Sequence, residues 1–327
     1  MRLGSTFSVA LLVTLTRPAT WLVALAAFLL RGGIVWFLVP ILTLPTPVGL
    51  ANALGPSIVG FVFGGVTLGL VLLSSAGVLV VLLWLIGGGA VAGALESSLV
   101  REVAGDEEVA GAVPASVGET DDRVGRVLAV RLLTILPLLV ALIYATARAV
   151  SATYAELTVP RSDGALGWRV LQDVPDAVVL VAVLWVLGEV LGGLAVRAVV
   201  LEDRTVGAAL GSAARMAIRH PLRTAASYLG PTAALLLVLI PSAAAASVAW
   251  DGVRATLADP HAGALPFVAL LVFLGLWAGG LLLTGAVCAW RHAVWTVGSV
   301  TPGRGTFGGS PTSRPGDWNE APSSGTF

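Results

Sequence analysis

The chain has 327 residues, 57% of them hydrophobic and only 12% charged, with 19 basic and 19 acidic side chains in balance. A soluble domain needs a charged surface, yet 64 consecutive uncharged residues separate Arg31 from Glu96, which excludes a soluble globular class and points to the bilayer. Zero net charge offers nucleic acid nothing to hold, and the single cysteine, Cys288, excludes an internal disulfide.

The start, MRLGSTFSVALLVTLTRPATWLVALAA, has the outline of a signal peptide, but Arg17-Pro18 interrupts its apolar core and the apolar run continues past Ala26. A retained first span is the better reading. A helix needs about 20 apolar residues to cross the hydrocarbon. Segments 19–42, 68–95, 127–149, 176–199, 224–249 and 265–289 meet that requirement, giving an all-α integral membrane protein with six transmembrane helices. Residues 46–67 are apolar but broken by Pro47, Gly49, Gly55, Pro56 and Gly64-Gly65, and read as an interfacial or re-entrant piece, with a seventh span as the alternative. The acidic stretch 100–126 reads as a flexible loop. The tail 301–327, with four prolines and six glycines, reads as a disordered cytoplasmic extension of the 1–300 membrane domain.

An internal repeat organises the spans as three helical hairpins. LLWLIGGGAVAG (82–93), VLWVLGEVLGG (183–193) and GLWAGGLLLTG (275–285) each place Leu-Trp before a glycine-rich helix. The second, fourth and sixth spans carry Gly89/Gly93, Gly188/Gly192 and Gly275/Gly279, which read as close-packing motifs, whereas the first, third and fifth contain Pro40, Pro137 and Pro241. LLVTLTRPATWLV (11–23) is echoed by AARMAIRHPLRTAAS (213–227), each placing a basic residue at or just before a proline that precedes a span.

Arginine is the only strongly basic residue, as a GC-rich genome would produce. Fourteen arginines fall on the side of the termini and four (Arg148, Arg161, Arg169, Arg254) on the other. By the positive-inside rule both termini are cytoplasmic, in a prokaryotic cell membrane. Tyr144, Trp168 and Trp250 lie near the outer boundaries.

Between the fourth and fifth spans lies VVLEDRTVGAALGSAARMAIRHP (199–221). Val206, Leu210, Ala213 and Ala217 fall on one face of a helix, and Arg204, Ala208, Ser212, Arg215 and Arg219 on the opposite one. The expectation is an amphipathic elbow on the cytoplasmic leaflet, with Arg204, Arg215, Arg219 and Arg223 at anionic lipid headgroups. This stretch resembles the elbow of uncharacterised prokaryotic multi-span proteins, a group that includes the membrane domain attached to some glycerophosphodiester phosphodiesterases. The resemblance covers 199–216 and rests on Leu201, Glu202, Ala209, Leu210 and Ser212. It implies a helical membrane fold and no hydrolysis, since the catalytic module of those enzymes is a separate domain without counterpart here.

Two charges fall mid-membrane, Arg31 about 13 residues into the first span and Glu189 about 13 into the fourth. A lone charge at that depth is costly, so the two are expected to pair, either lining a polar cavity or as a structural bridge. Arg31 reaching the interface from a shifted span is the alternative. His220 and His292 are expected in the cytoplasm, with Cys288 one turn before His292, without the convergent ligands a metal needs. No phosphate loop, nucleophile elbow or zinc-protease motif occurs. The sequence therefore reads as non-enzymatic and without a cofactor: a membrane-embedded binding or assembly component whose protein partner is undefined, or else a permease for a small solute or lipid-like cargo using the Arg31/Glu189 pair.

Overall fold

The computed structural model describes residues 3–38, 40–41, 68–105, 123–158, 166–259 and 261–300. The expected re-entrant segment 46–67, most of the acidic loop and the tail 301–327 lie outside them. The described residues are helical with no strand, and six helices are long and apolar enough to cross a membrane. The chain is an all-α, multi-pass membrane protein.

Helix α1 (Leu3–Thr16) ends at Arg17-Pro18. It buries Thr6, Ala10 and Val13, one helical face, against Val294, Trp295 and Val297 near the far end of the chain. The first span is α2 (Ala19–Phe28), a widened π-type turn at Leu29–Gly33, and α3 (Ile34–Leu38). The second has the same plan: α4 (Leu68–Leu83), a π-type turn at Trp84–Gly88, and α5 (Gly89–Ala104). Then follow α6 (Arg123–Thr158), the short α7 (Leu166–Asp173), α8 (Pro175–Glu202), the elbow α9 (Val206–Arg219), α10 (Pro221–Ala258) and α11 (Leu265–Val300).

Helices α6/α8 and α10/α11 pack as the expected hairpins. The first span departs from the scheme, because α2 lies more extensively along α11 than along its own hairpin partner α5. The hydrophobic core is concentrated at the end of the bundle that carries α1 and the elbow. Val100, Val127, Val130, Val196 and Val199 are fully buried there, and a second cluster joins α1 to α11. A smaller cluster of Ala246, Val253 and Phe273 ties α10 to α11 at the opposite end. Every side chain of α4 described is exposed.

The elbow forms by local chemistry. Asp203 adopts the left-handed conformation (φ 53°) that ends α8, and the Arg204 amide reaches back to Ala198 O at 3.3 Å, a Schellman-type closure. Arg126 fixes the turn from α6, donating to the Asp203 and Arg204 carbonyls and, at 2.7 Å, to the Asp203 carboxylate. Helix α9 then docks through Ala209 and Ala213 into the valine core. The apolar face is shifted from the expected one: Ser212, read as outward-facing, is buried and bonds Ala209 O at 2.8 Å, while Arg215 and Arg219 are exposed as their side of the helix requires.

Of the three glycine pairs, two are close-packing sites. A β-carbon at Gly89 or Gly93 would stand 3.1 Å from Leu128 or 3.3 Å from Val127, and at Gly188 or Gly192 it would stand 2.8 Å from Thr134 O or the Arg131 guanidinium. Gly275 and Gly279 face open space, so the third repeat keeps the motif without the packing.

Candidate functional site: a buried arginine–glutamate cluster

Glu96 is fully buried in α5, about two turns before that helix ends. Arg131 of α6 grips it with two nitrogens, Nη2 at 2.5 Å from Oε1 and Nε at 3.1 Å from Oε2. Arg31, which leaves the first span inside its π-type turn, donates to Oε2 of the same carboxylate. Such a widened turn changes the direction of the helix face at one residue, and Gly32 beside it takes φ 98°, a conformation that suits glycine. Arg197 Nη1 of α8 lies 3.8 Å from Oε1 and His292 Nδ1 of α11 lies 3.9 Å from it.

The second carboxylate is Glu189. Arg291 of α11 donates to its Oε2, and Arg131 Nη1 stands 3.9 Å from its Oε1. The expected Arg31–Glu189 pair therefore does not form. Both residues reach the same cluster, but Arg31 takes Glu96 of α5 and Glu189 takes Arg291 of α11, each a closer partner than the other.

Arg197 is almost completely enclosed. It donates to Gly193 O at 2.7 Å and His292 O at 3.3 Å, and its guanidinium stacks 5.0 Å from the Trp295 ring centroid. Arg291 lies 5.4 Å from the same ring and 5.8 Å from Tyr228. The ring sits directly over Gly193, where a β-carbon would collide with it, and its Nε1 is tied to Ser227 O at 2.9 Å. His292, expected in the cytoplasm, is inside the bundle with Nδ1 3.5 Å from Arg197 Nη2.

Two cavities meet at this cluster. The larger, about 370 Å³, is walled by Arg31, Arg131 and Glu189 on its polar side and by Trp84, Leu132, Ile135, Leu138 and Trp185 elsewhere. The other, about 290 Å³, contains Arg31, Glu189, Arg291 and His292 among leucines of α10 and the rings of Phe28 and Trp36 from the first span, with buried Cys288 in its wall. Arg31, Gly32, Trp185 and Glu189 belong to both and form the partition between them. Repeat-related Trp84 and Trp185 thus face one cavity. Trp277 instead bonds Phe37 O at 3.0 Å near the far end.

The elbow arginines divide. Arg204 donates to Glu202 at 2.5 Å. Arg223 is half-buried at a crevice of about 40 Å³ beside Thr6 and Tyr228. Arg215 and Arg219 are exposed, beside the exposed apolar side chains of Ile218 and Leu222.

Sequence reasoning located Arg31 and Glu189 and missed Glu96, Arg131, Arg197, Arg291 and His292 as site residues. It ended the second and sixth spans at 95 and 289, and placed Arg131 and Arg197 at span edges. The helices run on well past those limits. The usable signal was that the second and sixth spans carry their first charge, Glu96 and Arg291, just beyond the apolar limit.

No family model matches the chain, and neither a curated protein nor a solved structure matches it.

Proposed function

We propose that this protein is a non-enzymatic, membrane-embedded binding component whose ligand is an anionic amphiphile. The observation that carries the reading is the larger cavity, where Arg31 and Arg131 share a wall with Glu189 and the remaining walls are tryptophan, leucine and isoleucine. Guanidiniums recognise phosphate or carboxylate oxygens through paired N–H groups, while apolar walls suit an acyl or prenyl chain. A small hydrophilic solute would leave those walls without a partner. The arginine excess at the end bearing the termini supports a cytoplasmic placement of that end, with Arg215 and Arg219 at lipid headgroups. The resemblance of 199–216 to other membrane-protein elbows supports the helical fold and adds no activity.

The direct test is native mass spectrometry of protein extracted gently from its own membrane. The expected species is the chain carrying one anionic amphiphile, lost in Arg131→Gln. A stoichiometric protein partner with no bound amphiphile would overturn the reading in favour of an assembly subunit.

A permease is the second reading, favoured by the two cavities on either side of one partition. In proteoliposomes it requires cargo movement that Glu189→Gln abolishes while the fold persists.

A further inference from the structure

Four guanidiniums, of Arg31, Arg131, Arg197 and Arg291, share the buried cluster with two carboxylates, of Glu96 and Glu189. Arg31, Arg131 and Arg197 all lean on Glu96, while Arg131 and Arg291 lean on Glu189. The contact with Arg197 Nη2 makes His292 Nδ1 an acceptor, hence a neutral ring with no charge to add. Among the described residues, four against two leaves two positive charges without a carboxylate. Backbone carbonyls and the Trp295 and Tyr228 rings attract Arg197 and Arg291, but dipoles and quadrupoles do not cancel a unit charge. Inside a bilayer such an excess is unfavourable until a counter-charge arrives.

Resting on the amphiphile reading above, we infer that the head group is a phosphate monoester, a dianion held between Arg31 and Arg131 at the wall of the larger cavity. A monoester carries a charge of about −1.5 to −2 at pH 7 and three terminal acceptor oxygens. That matches the missing charge, and the N–H groups of Arg31 and Arg131 not spent on Glu96 are its donors. A phosphodiester brings a single negative charge and a zwitterion brings none. Glu96, with no exposed surface, is the permanent counter-ion. Glu189 is different: its side chain is 25% exposed, it lines both cavities, and it bonds Arg291 and faces Arg131. It is the internal competitor for one of the two guanidiniums, that of Arg131. The head enters beside it, and the apolar portion lies along Leu132, Ile135 and Leu138.

The test uses the full chain in phosphatidylcholine nanodiscs doped with phosphatidate, a monoester, or with phosphatidylglycerol, a diester, at matched surface charge. Tryptophan fluorescence reports occupancy through Trp84 and Trp185. Phosphatidate is expected to half-saturate at a mole fraction about tenfold lower than phosphatidylglycerol. Glu189→Gln is expected to tighten phosphatidate at least about threefold, since it removes the competitor. Equal response to the two lipids, or weakened phosphatidate binding in Glu189→Gln, overturns the monoester inference and leaves the amphiphile reading standing. Response to neither lipid overturns both. Inorganic phosphate acting as well as phosphatidate in undoped nanodiscs overturns the amphiphile reading and points to a soluble phosphate compound.

Discussion

Arg131 holds Glu96 through two of its nitrogens, at 2.5 and 3.1 Å, across the interface of α5 and α6. The same carboxylate receives Arg31 and lies 3.8 Å from Arg197, so one acidic group anchors basic side chains from three other helices. Removing one partner of a buried pair leaves an uncompensated charge, which costs about 3–5 kcal/mol.

Glu96→Gln is therefore expected to lower membrane accumulation sharply and to reduce the thermal midpoint in mild detergent. Arg31→Gln, whose side chain is 25% exposed and only one of Glu96's partners, should lose less. Thermal melts of the purified variants check the order; a larger loss in Arg31→Gln would contradict the central position given to Glu96.

The glycines of the fourth and sixth spans make a graded prediction. At Gly193 a β-carbon meets the Trp295 ring, so Gly193→Ala must displace the indole, breaking its bond to Ser227 O and unstacking Arg197. At Gly188 the obstacle is the Thr134 carbonyl at 2.8 Å. Overpacking of this kind costs about 1–3 kcal/mol, whereas Gly275→Ala and Gly279→Ala, which meet open space, should fall within about 0.5 kcal/mol of the parent. Chemical denaturation of the four variants in one detergent measures the contrast.

Asp203 supplies a pH dependence. Its hydrogen bond from Arg126 holds its carboxyl below the usual carboxylate value, with Arg123, 3.4 Å away, adding to the shift. A depressed pKa stabilises the folded state above the unfolded value, and the contribution is lost as pH falls through the folded one. Asp203→Asn keeps a residue that tolerates the left-handed turn but removes the charge. Hydrogen exchange of α9 should rise in Asp203→Asn at pH 7, and the gap from the parent should close under strongly acidic conditions. A gap that persists unchanged in acid would assign the turn to backbone geometry alone.

Arg215 and Arg219 stand beside exposed Ile218 and Leu222, the arrangement of a helix seated at a lipid interface. Attraction of basic residues to an anionic leaflet is worth about 1 kcal/mol each. Replacing both by Gln should increase exchange of α9 several-fold in anionic nanodiscs and change it little in zwitterionic ones. Equal effects in the two lipids would mean that the arginines do not read lipid charge.

The six spans were legible because an uncharged run as long as the one from Arg31 to Glu96 cannot form the surface of a soluble domain. The elbow was legible because its helical pattern is bounded by Asp203 and Pro221. The charge cluster was legible only in part. Arg31 and Glu189 stand out by being surrounded with apolar sequence. Glu96, Arg131, Arg197 and Arg291 sit where hydropathy falls away, and a helix continuing inside the bundle has the same local composition there as one emerging into water. What distinguishes them is burial by helices distant in sequence: Trp295 over Arg197, or Arg31 beside Glu96 65 positions later. The shifted face of α9 has a similar cause, since alanines dock closely where larger side chains would hold the helix away.

The charged residues of the cluster alternate along the chain until its final members: Arg31, Glu96, Arg131, Glu189, Arg197, Arg291. During synthesis each early arginine is thus followed by a carboxylate on the next span to arrive, and the cluster returns to neutrality after the second span and again at Glu189, before Arg197 leaves the fourth span with one positive charge in excess. The surplus accumulates only with Arg197 and Arg291. Because α1 and α2 also pack on α11, this helix, the last among the described residues, both closes the bundle and completes its unbalanced charge. A bundle without α11 would hold one positive charge in excess in place of two, because Arg291 supplies the second.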